Sequence, residues 1–155
     1  TMLRVSDLLS LRRNEVFNDD DSIKSQAFTV DQKTQKHNIL YLKPAIYDLS
    51  IYIKWLNEHY PESKWLFPSS QHHDQHVSIK QYYKVLKQVG DLLGIDYLGT
   101  HTMRKTGAYR VYVQSHYDIA LVMELLNHSS QKMTLKYLGL DQVSKEKKLD
   151  QINFD

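Results

Sequence analysis

The chain has no cysteine among its 155 residues. That excludes a disulfide framework, thiolate chemistry and any zinc–cysteine centre. No stretch approaches the ~18 consecutive apolar residues that a membrane-spanning helix needs. Residues 1–15 carry Arg12 and Arg13 but lack the order of basic region, apolar core and cleavage site that marks a secretory signal. These absences are compatible with the cytoplasm. Excess charge is also scarce, with a formal net charge of +2. So small an excess neither demands nor excludes a polyanion, because local clustering binds phosphate and the sum does not. Arginine occurs only at positions 4, 12, 13, 104 and 110, so the placement of each matters.

What is present suits a soluble globular chain of about one domain, long enough to bury a core. "TMLRVSDLL" enters a helical pattern with no preceding element, which predicts further protein upstream of residue 1. A first helix is expected from Ser6 to Arg13 on the stripe Leu8, Leu9 and Leu11. "NDDDS" (18–22) breaks the chain. Two extended arms, "AFTV" and "NILYL", flank the polar "DQKTQKH" and read as a hairpin. Ile46, Leu49, Ile53, Leu56 and Tyr60 share one face of a helix that must end before Pro61. Residues 65–76 read as loop. Ser78 caps a helix bearing Ile79, Tyr82, Leu86, Val89 and Leu93, closed by Gly94. Further helices are expected over 100–115 and from Asp118, with Ile119, Val122 and Leu126 inward and Asn127 in the left-handed region. A short mobile link then carries Tyr137, and the tail 141–154 is weakly amphipathic, with Val143, Leu149, Ile152 and Phe154 as anchors. The fold expected is mainly α with a small antiparallel β-hairpin and no internal repeat.

Several residue types could carry chemistry, and each has a plainer use. His101 and Arg104, three apart near a helix start, can face one point where unsatisfied amides attract phosphate. They serve equally as a capping histidine and a surface arginine. Arg4 can form an i, i+3 ion pair with Asp7, or be held for bidentate contact with a phosphate. Lys33 and Lys36 in the hairpin connection can donate a proton to a leaving oxygen or simply be solvated. His128, after the apolar run "IALVMELLN", can cap that helix against its dipole. Tyr137 is one of 11 tyrosines, of which Tyr52, Tyr82, Tyr109 and Tyr112 are expected in or near the core. A phenol needs help to act as a nucleophile, since its ordinary pKa near ~10 leaves little phenolate at neutral pH. "HHDQH" places His72, His73, Asp74 and His76 together, but its loop setting favours solvated imidazoles over a zinc site.

In order along the chain, these residues resemble the catalytic domain of the tyrosine recombinase, or phage integrase, family. The resemblance runs from "LRVSDLLSLRRNEV" to "TLKYLGL". It rests on Arg4 in "LRVSDLLSL", Lys33 in "QKTQK", His101 and Arg104 in "THTMRKTGA", His128 in "LLNHSS", and Tyr137 nine residues later. Asp7 matches the acidic residue that often follows the first arginine. Two positions where the family usually has glycine differ: Met2 precedes the first block and Asn127 precedes "HSS".

The resemblance implies a tyrosine-recombinase catalytic-domain fold, amino-terminally truncated. Residues 1–155 would lack the family's first catalytic helix and its upstream DNA-binding domains, and 141–155 would be a tail that docks on a neighbouring subunit. It implies cleavage and rejoining of double-stranded DNA through a 3′-phosphotyrosyl link, with no metal, ATP or other cofactor. Tyr137 would be the nucleophile, Arg4 and Arg104 the phosphate clamps, Lys33 the general acid, and His101 and His128 the hydrogen-bonding partners of phosphate and tyrosine. Lys36, Lys105, Arg110, Lys132 and Lys136 are candidates for contacts with the DNA backbone. Four full-length subunits would act on two duplexes near the nucleoid of a prokaryotic host, while the isolated fragment would be a monomer of weak or no activity. Two other readings remain: relaxation or resolution of DNA as type IB topoisomerases perform it, and a non-catalytic DNA-binding module.

Overall fold

The computed structural model describes residues 1–72 and 74–153. His73 and Phe154, named above, lie outside the described residues. The chain divides into two compact units. One comprises Thr1 and residues 3–101; the other comprises Met2 and residues 102–155.

The first unit begins with helix α1 (Val5–Leu9) and the single turn α2 (Arg13–Val16). The one helix expected over Ser6–Arg13 is therefore broken. Leu11 is buried and its carbonyl accepts from the Leu66 amide (2.9 Å), while the Arg13 amide donates to Lys64 (2.9 Å). Arg12 bridges Trp65 in strand fashion. Pairing with a distant segment thus replaces the helical hydrogen bonds, a tertiary override of local propensity. Trp65 also receives Arg12 and Lys64 over its ring, at 5.6 and 5.3 Å.

Strands β1 (Gln26–Val30) and β2 (His37–Tyr41) pair antiparallel, with Ala27 opposite Leu40 and Phe28 opposite Ile39. The period of two sends Ala27 and Leu40 into the core and leaves Phe28 and Ile39 exposed. Helix α3 (Ile46–His59) follows a short 3-10 turn that has Pro44 in its first positions, and it stops before Pro61. Its expected stripe holds at Ile53 and Leu56, which are buried, and at Leu49 and Tyr60, which pack against them; Ile46 is exposed. These residues join Leu3, Leu11, Val16, Phe17, Leu40, Leu42 and Leu66 in one core. Tyr52 lies at its edge and donates to the Leu66 carbonyl at 2.6 Å; burial pushes its phenol up to about 12. Helix α4 (Ile79–Leu93) has the expected ends: the Ser78 side chain accepts from the Gln81 amide, and Gly94 takes φ +67°. Its buried residue is Gly90, where a Cβ would meet the Ile95 carbonyl at 2.5 Å, whereas Ile79, Val89 and Leu93 are exposed.

In the second unit, α5 (Thr102–Gln114), α6 (Ile119–Leu125), α7 (Gln131–Leu138) and α8 (Gln142–Leu149) follow one another. Ala108, Val122 and Leu126 form its buried centre, with Met2, Val111, Tyr112, Tyr137 and Leu138 packed around them. Tyr109, expected in or near the core, is 48% exposed, because Ala108 is the residue of α5 that faces inward. No helix among the described residues is long and apolar enough to cross a membrane.

Candidate active site

Arg4 stands at the N-cap of α1, where its extended backbone turns into the helix. Its ion pair is with Asp31 and not with Asp7, three residues on. Asp7 is buried, and its Oδ1 accepts from the Gln32 amide at 3.2 Å. Arg4 and Asp7 therefore both reach the connection between β1 and β2, which reassigns the acidic partner the spacing suggested. That connection is built on Asp31. Its Oδ1 accepts from the amides of Lys33 (3.0 Å) and Thr34 (2.8 Å), the pattern of an Asx turn. The Asp31 amide donates to Lys36, and its carbonyl accepts from Gln35, which takes φ +57°. Lys33 and Lys36 are both exposed on this turn. His101 is an exposed turn residue at the end of this unit.

The second unit gathers Arg104, His128 and Tyr137. Arg104 lies in the first turn of α5. Its Nε donates to the Met2 carbonyl at 2.6 Å and an Nη to the Leu126 carbonyl at 3.1 Å. The Leu126 carbonyl is at the end of α6, where helices leave acceptors unsatisfied and favour a cation. Met2 presents its carbonyl from φ +59°, a conformation that glycine adopts without strain. The Met2 side chain in turn meets Gly107, where an added Cβ would lie 2.9 Å from Met2 Cε. The residue that departs from the family glycine thus keeps the glycine backbone.

Helix α6 ends in a Schellman arrangement. The His128 amide donates to Met123 (2.9 Å), the Asn127 amide to Glu124 (2.8 Å), and Asn127 takes φ +57°. This termination aims His128. Its Nδ1 is 3.0 Å from the hydroxyl of Thr134, which is fully buried and donates to the Ser130 carbonyl at 3.4 Å. A hydroxyl that donates to a carbonyl is left to accept from Nδ1–H, which sets the orientation of the imidazole ring.

Tyr137 is not on a mobile link. It sits in the last turn of α7, a helix separated from His128 by two residues, Ser129 and Ser130. The Ser130 side chain caps the helix by accepting from Met133, and Gly139 at φ +70° ends it. The Tyr137 ring meets the His128 ring edge-on at 5.5 Å. The Arg104 guanidinium lies 5.7 Å from its centroid and Lys105 Nζ 5.5 Å. Two cations and an imidazole thus surround one phenol ring. Lys105, Arg110 and Tyr137 border an open cavity of about 330 Å³. Lys132 and Lys136 are exposed on α7.

Of the residues the sequence singled out, the structure holds Arg4 and Lys33 on linked segments of one unit, and Arg104, His128 and Tyr137 around one ring in the other. Asp31 and Thr134 were missed. An aspartate two residues before Lys33 was a legible turn signal; Thr134 had none, because a threonine inside a helix usually marks nothing. In "HHDQH", His76 meets Trp65 edge-on at 5.0 Å, its Nδ1 is 2.9 Å from the Val77 carbonyl, and His72 and Asp74 are exposed.

Mainly helical units with a small antiparallel hairpin and this spacing of arginine, histidine and tyrosine define the tyrosine-recombinase catalytic-domain fold. The model of the phage integrase family matches residues 1–143. A Bacillus subtilis (strain 168) protein, "Probable integrase/recombinase YoeC", is 34% identical over 141 residues, covering 90% of this chain and 72% of its own length. The crystal structure of XerA recombinase superposes with a TM-score of 0.70 at 21% identity, over 97% of this chain and 52% of that one. XerH recombinase bound to a palindromic difH substrate after cleavage gives 0.67 at 22% identity, over 97% and 42%. The chain therefore belongs to the phage integrase family, whose typical chemistry is site-specific breaking and rejoining of DNA strands. It spans about half the length of these two solved structures.

Proposed function

We propose that this chain is the chemical part of a site-specific DNA recombinase acting on double-stranded DNA. The observation that carries the reading is the Tyr137 ring held against His128, Arg104 and Lys105. In the reaction, Tyr137 Oη forms a bond to the phosphorus of a phosphodiester and the P–O5′ bond breaks. The phenolic proton leaves with help from His101, and the 5′-oxygen takes a proton from Lys33. Arg4, Arg104 and His128 stabilise the charge that grows on the non-bridging oxygens. A second strand's 5′-hydroxyl reverses the step, so the energy of the bond is conserved and ATP has no part. Two arginines take the place that metal ions occupy in many nucleases, which makes activity in EDTA an expectation.

Four full-length subunits on paired sites would complete an exchange. Residues 141–153 of the tail support this reading: α8 leaves Val143 and Leu149 exposed, with Ile152 exposed beyond it, as a segment that docks on a neighbouring subunit would. The test is a duplex nicked beside the cleavage point, so that the freed strand diffuses away. A covalent protein–DNA adduct should form in EDTA, and Tyr137→Phe should remove it. An adduct formed by Tyr137→Phe would overturn the assignment. Relaxation of supercoiled DNA without a paired site would instead point to topoisomerase-like chemistry, and no adduct from the full-length protein to a non-catalytic binding module.

A further inference from the structure

Arg4 and Lys33 come from different elements, yet one side chain is bonded to the supports of both. Asp31 is 3% exposed. Its Oδ2 pairs with Arg4 Nη1, while its Oδ1 holds the amides of Lys33 and Thr34 at 3.0 and 2.8 Å. Asp7 adds a second tie between α1 and the same turn through the Gln32 amide at 3.2 Å. A buried carboxylate persists when its oxygens are paired and hydrogen-bonded, and Asp31 meets that condition through these contacts. An arginine at an N-cap, on a long flexible stem, needs a fixed partner to present its fork in one orientation. Held through Nη1, the guanidinium still has other N–H groups to offer a phosphate oxygen.

We propose that Asp31 is a positioning residue that sets Arg4 and the Lys33 turn as one piece, so that the phosphate clamp and the general acid keep a common register. The inference rests on the function proposed above. It separates into two parts, because the two oxygens do different work. Asp31→Asn keeps an oxygen for the turn amides and loses the charge that holds Arg4. Asp31→Ala loses both.

The experiment uses the full chain, the nicked duplex and a second duplex with a bridging 5′-phosphorothiolate, whose sulfur leaves with little need of a proton. Asp31→Asn should slow adduct formation on the order of a hundredfold on both duplexes, since a misplaced clamp is not relieved by a better leaving group. Asp31→Ala should be slower still on the ordinary duplex and recover part of its loss on the phosphorothiolate, as Lys33→Ala does. A merely structural role would slow both duplexes alike in both variants. In parallel, the Arg4 Nε–H resonance, assigned with Arg4→Lys, should move in Asp31→Asn. Should the Asp31 variants fail to fold, Arg4→Gln should shift the Lys33 and Thr34 amide resonances through Asp31. Wild-type rates in Asp31→Asn, or an unmoved Arg4 signal, overturn the proposal, as do unmoved turn amides in Arg4→Gln. If the wild-type chain forms no adduct, the proposed function fails, while the resonances still decide the role of Asp31.

Discussion

At the residue scale the informative atoms are the ones that hold reactive groups still. Thr134 is buried inside α7 with its hydroxyl between the Ser130 carbonyl and His128 Nδ1. Replacing it with valine keeps the shape and removes the hydroxyl. Thr134→Val should lower stability by about 1 kcal/mol and slow adduct formation about tenfold, or about 1.4 kcal/mol of barrier. Thr134→Ser should restore the rate. Urea unfolding and single-turnover cleavage check the two effects separately, and a full rate in Thr134→Val would show that His128 needs no such support. Met2 makes a related point, since its backbone matters more than its identity: the carbonyl it gives Arg104 depends on a positive φ.

At the element scale, helix ends do the positioning. Asn127 closes α6 in the left-handed region and so fixes the direction of His128. A β-branched residue is poorly tolerated there, so Asn127→Val should cost roughly 1–2 kcal/mol, whereas Asn127→Gly should be accepted. Thermal unfolding distinguishes them, and equal midpoints would contradict the account. The turn 18–22 is tied to α3 by Asp21, which takes a hydrogen bond from Arg13 (2.7 Å) and another from Asn57 (2.7 Å). The Arg13 hydrogen bond, and then that of Asn57, hold the Asp21 carboxyl below its ordinary value. A depressed folded-state value adds stability above the unfolded pKa and loses it as pH falls through the folded one. Wild type should therefore exceed Asp21→Asn in stability near neutral pH, and the gap should close on acidification below the ordinary carboxylate range. A gap independent of pH would rule out the ionised contact.

At the scale of the whole molecule, a net charge of +2 hides local clustering. Lys105 and Arg110 line the cavity beside Tyr137, and Lys132 and Lys136 are exposed on α7. If these contact the DNA backbone, each change to glutamine should weaken binding evenly across sequences. Each should also reduce the magnitude of the log–log salt slope by about 1. Titrations at several salt concentrations measure this, and four unchanged slopes would remove these residues from the DNA interface. Each unit also carries its own buried cluster, one around Leu56 and one around Leu126, so each platform for reactive residues has its own packed support.

Much of this was legible in the residues. The period of two in "AFTV" and "NILYL" located the hairpin, the 3.6-residue period located α3, and Ser78, Gly94 and Asn127 marked ends where they occur, because these are local preferences of single residues. The order of Arg4, Lys33, His101, Arg104, His128 and Tyr137 identified the family for the same reason. What the tertiary structure alone decided was partnership. The first helix breaks because Leu11 and Arg12 pair with a segment more than fifty residues away, Arg4 turns to Asp31 instead of its neighbour Asp7, and Tyr137 rides a capped helix instead of a loose link. Periodicity reports which face of an element is apolar; it carries no information on which distant carbonyl or carboxylate will meet a given donor, and in this chain those meetings orient the reactive side chains.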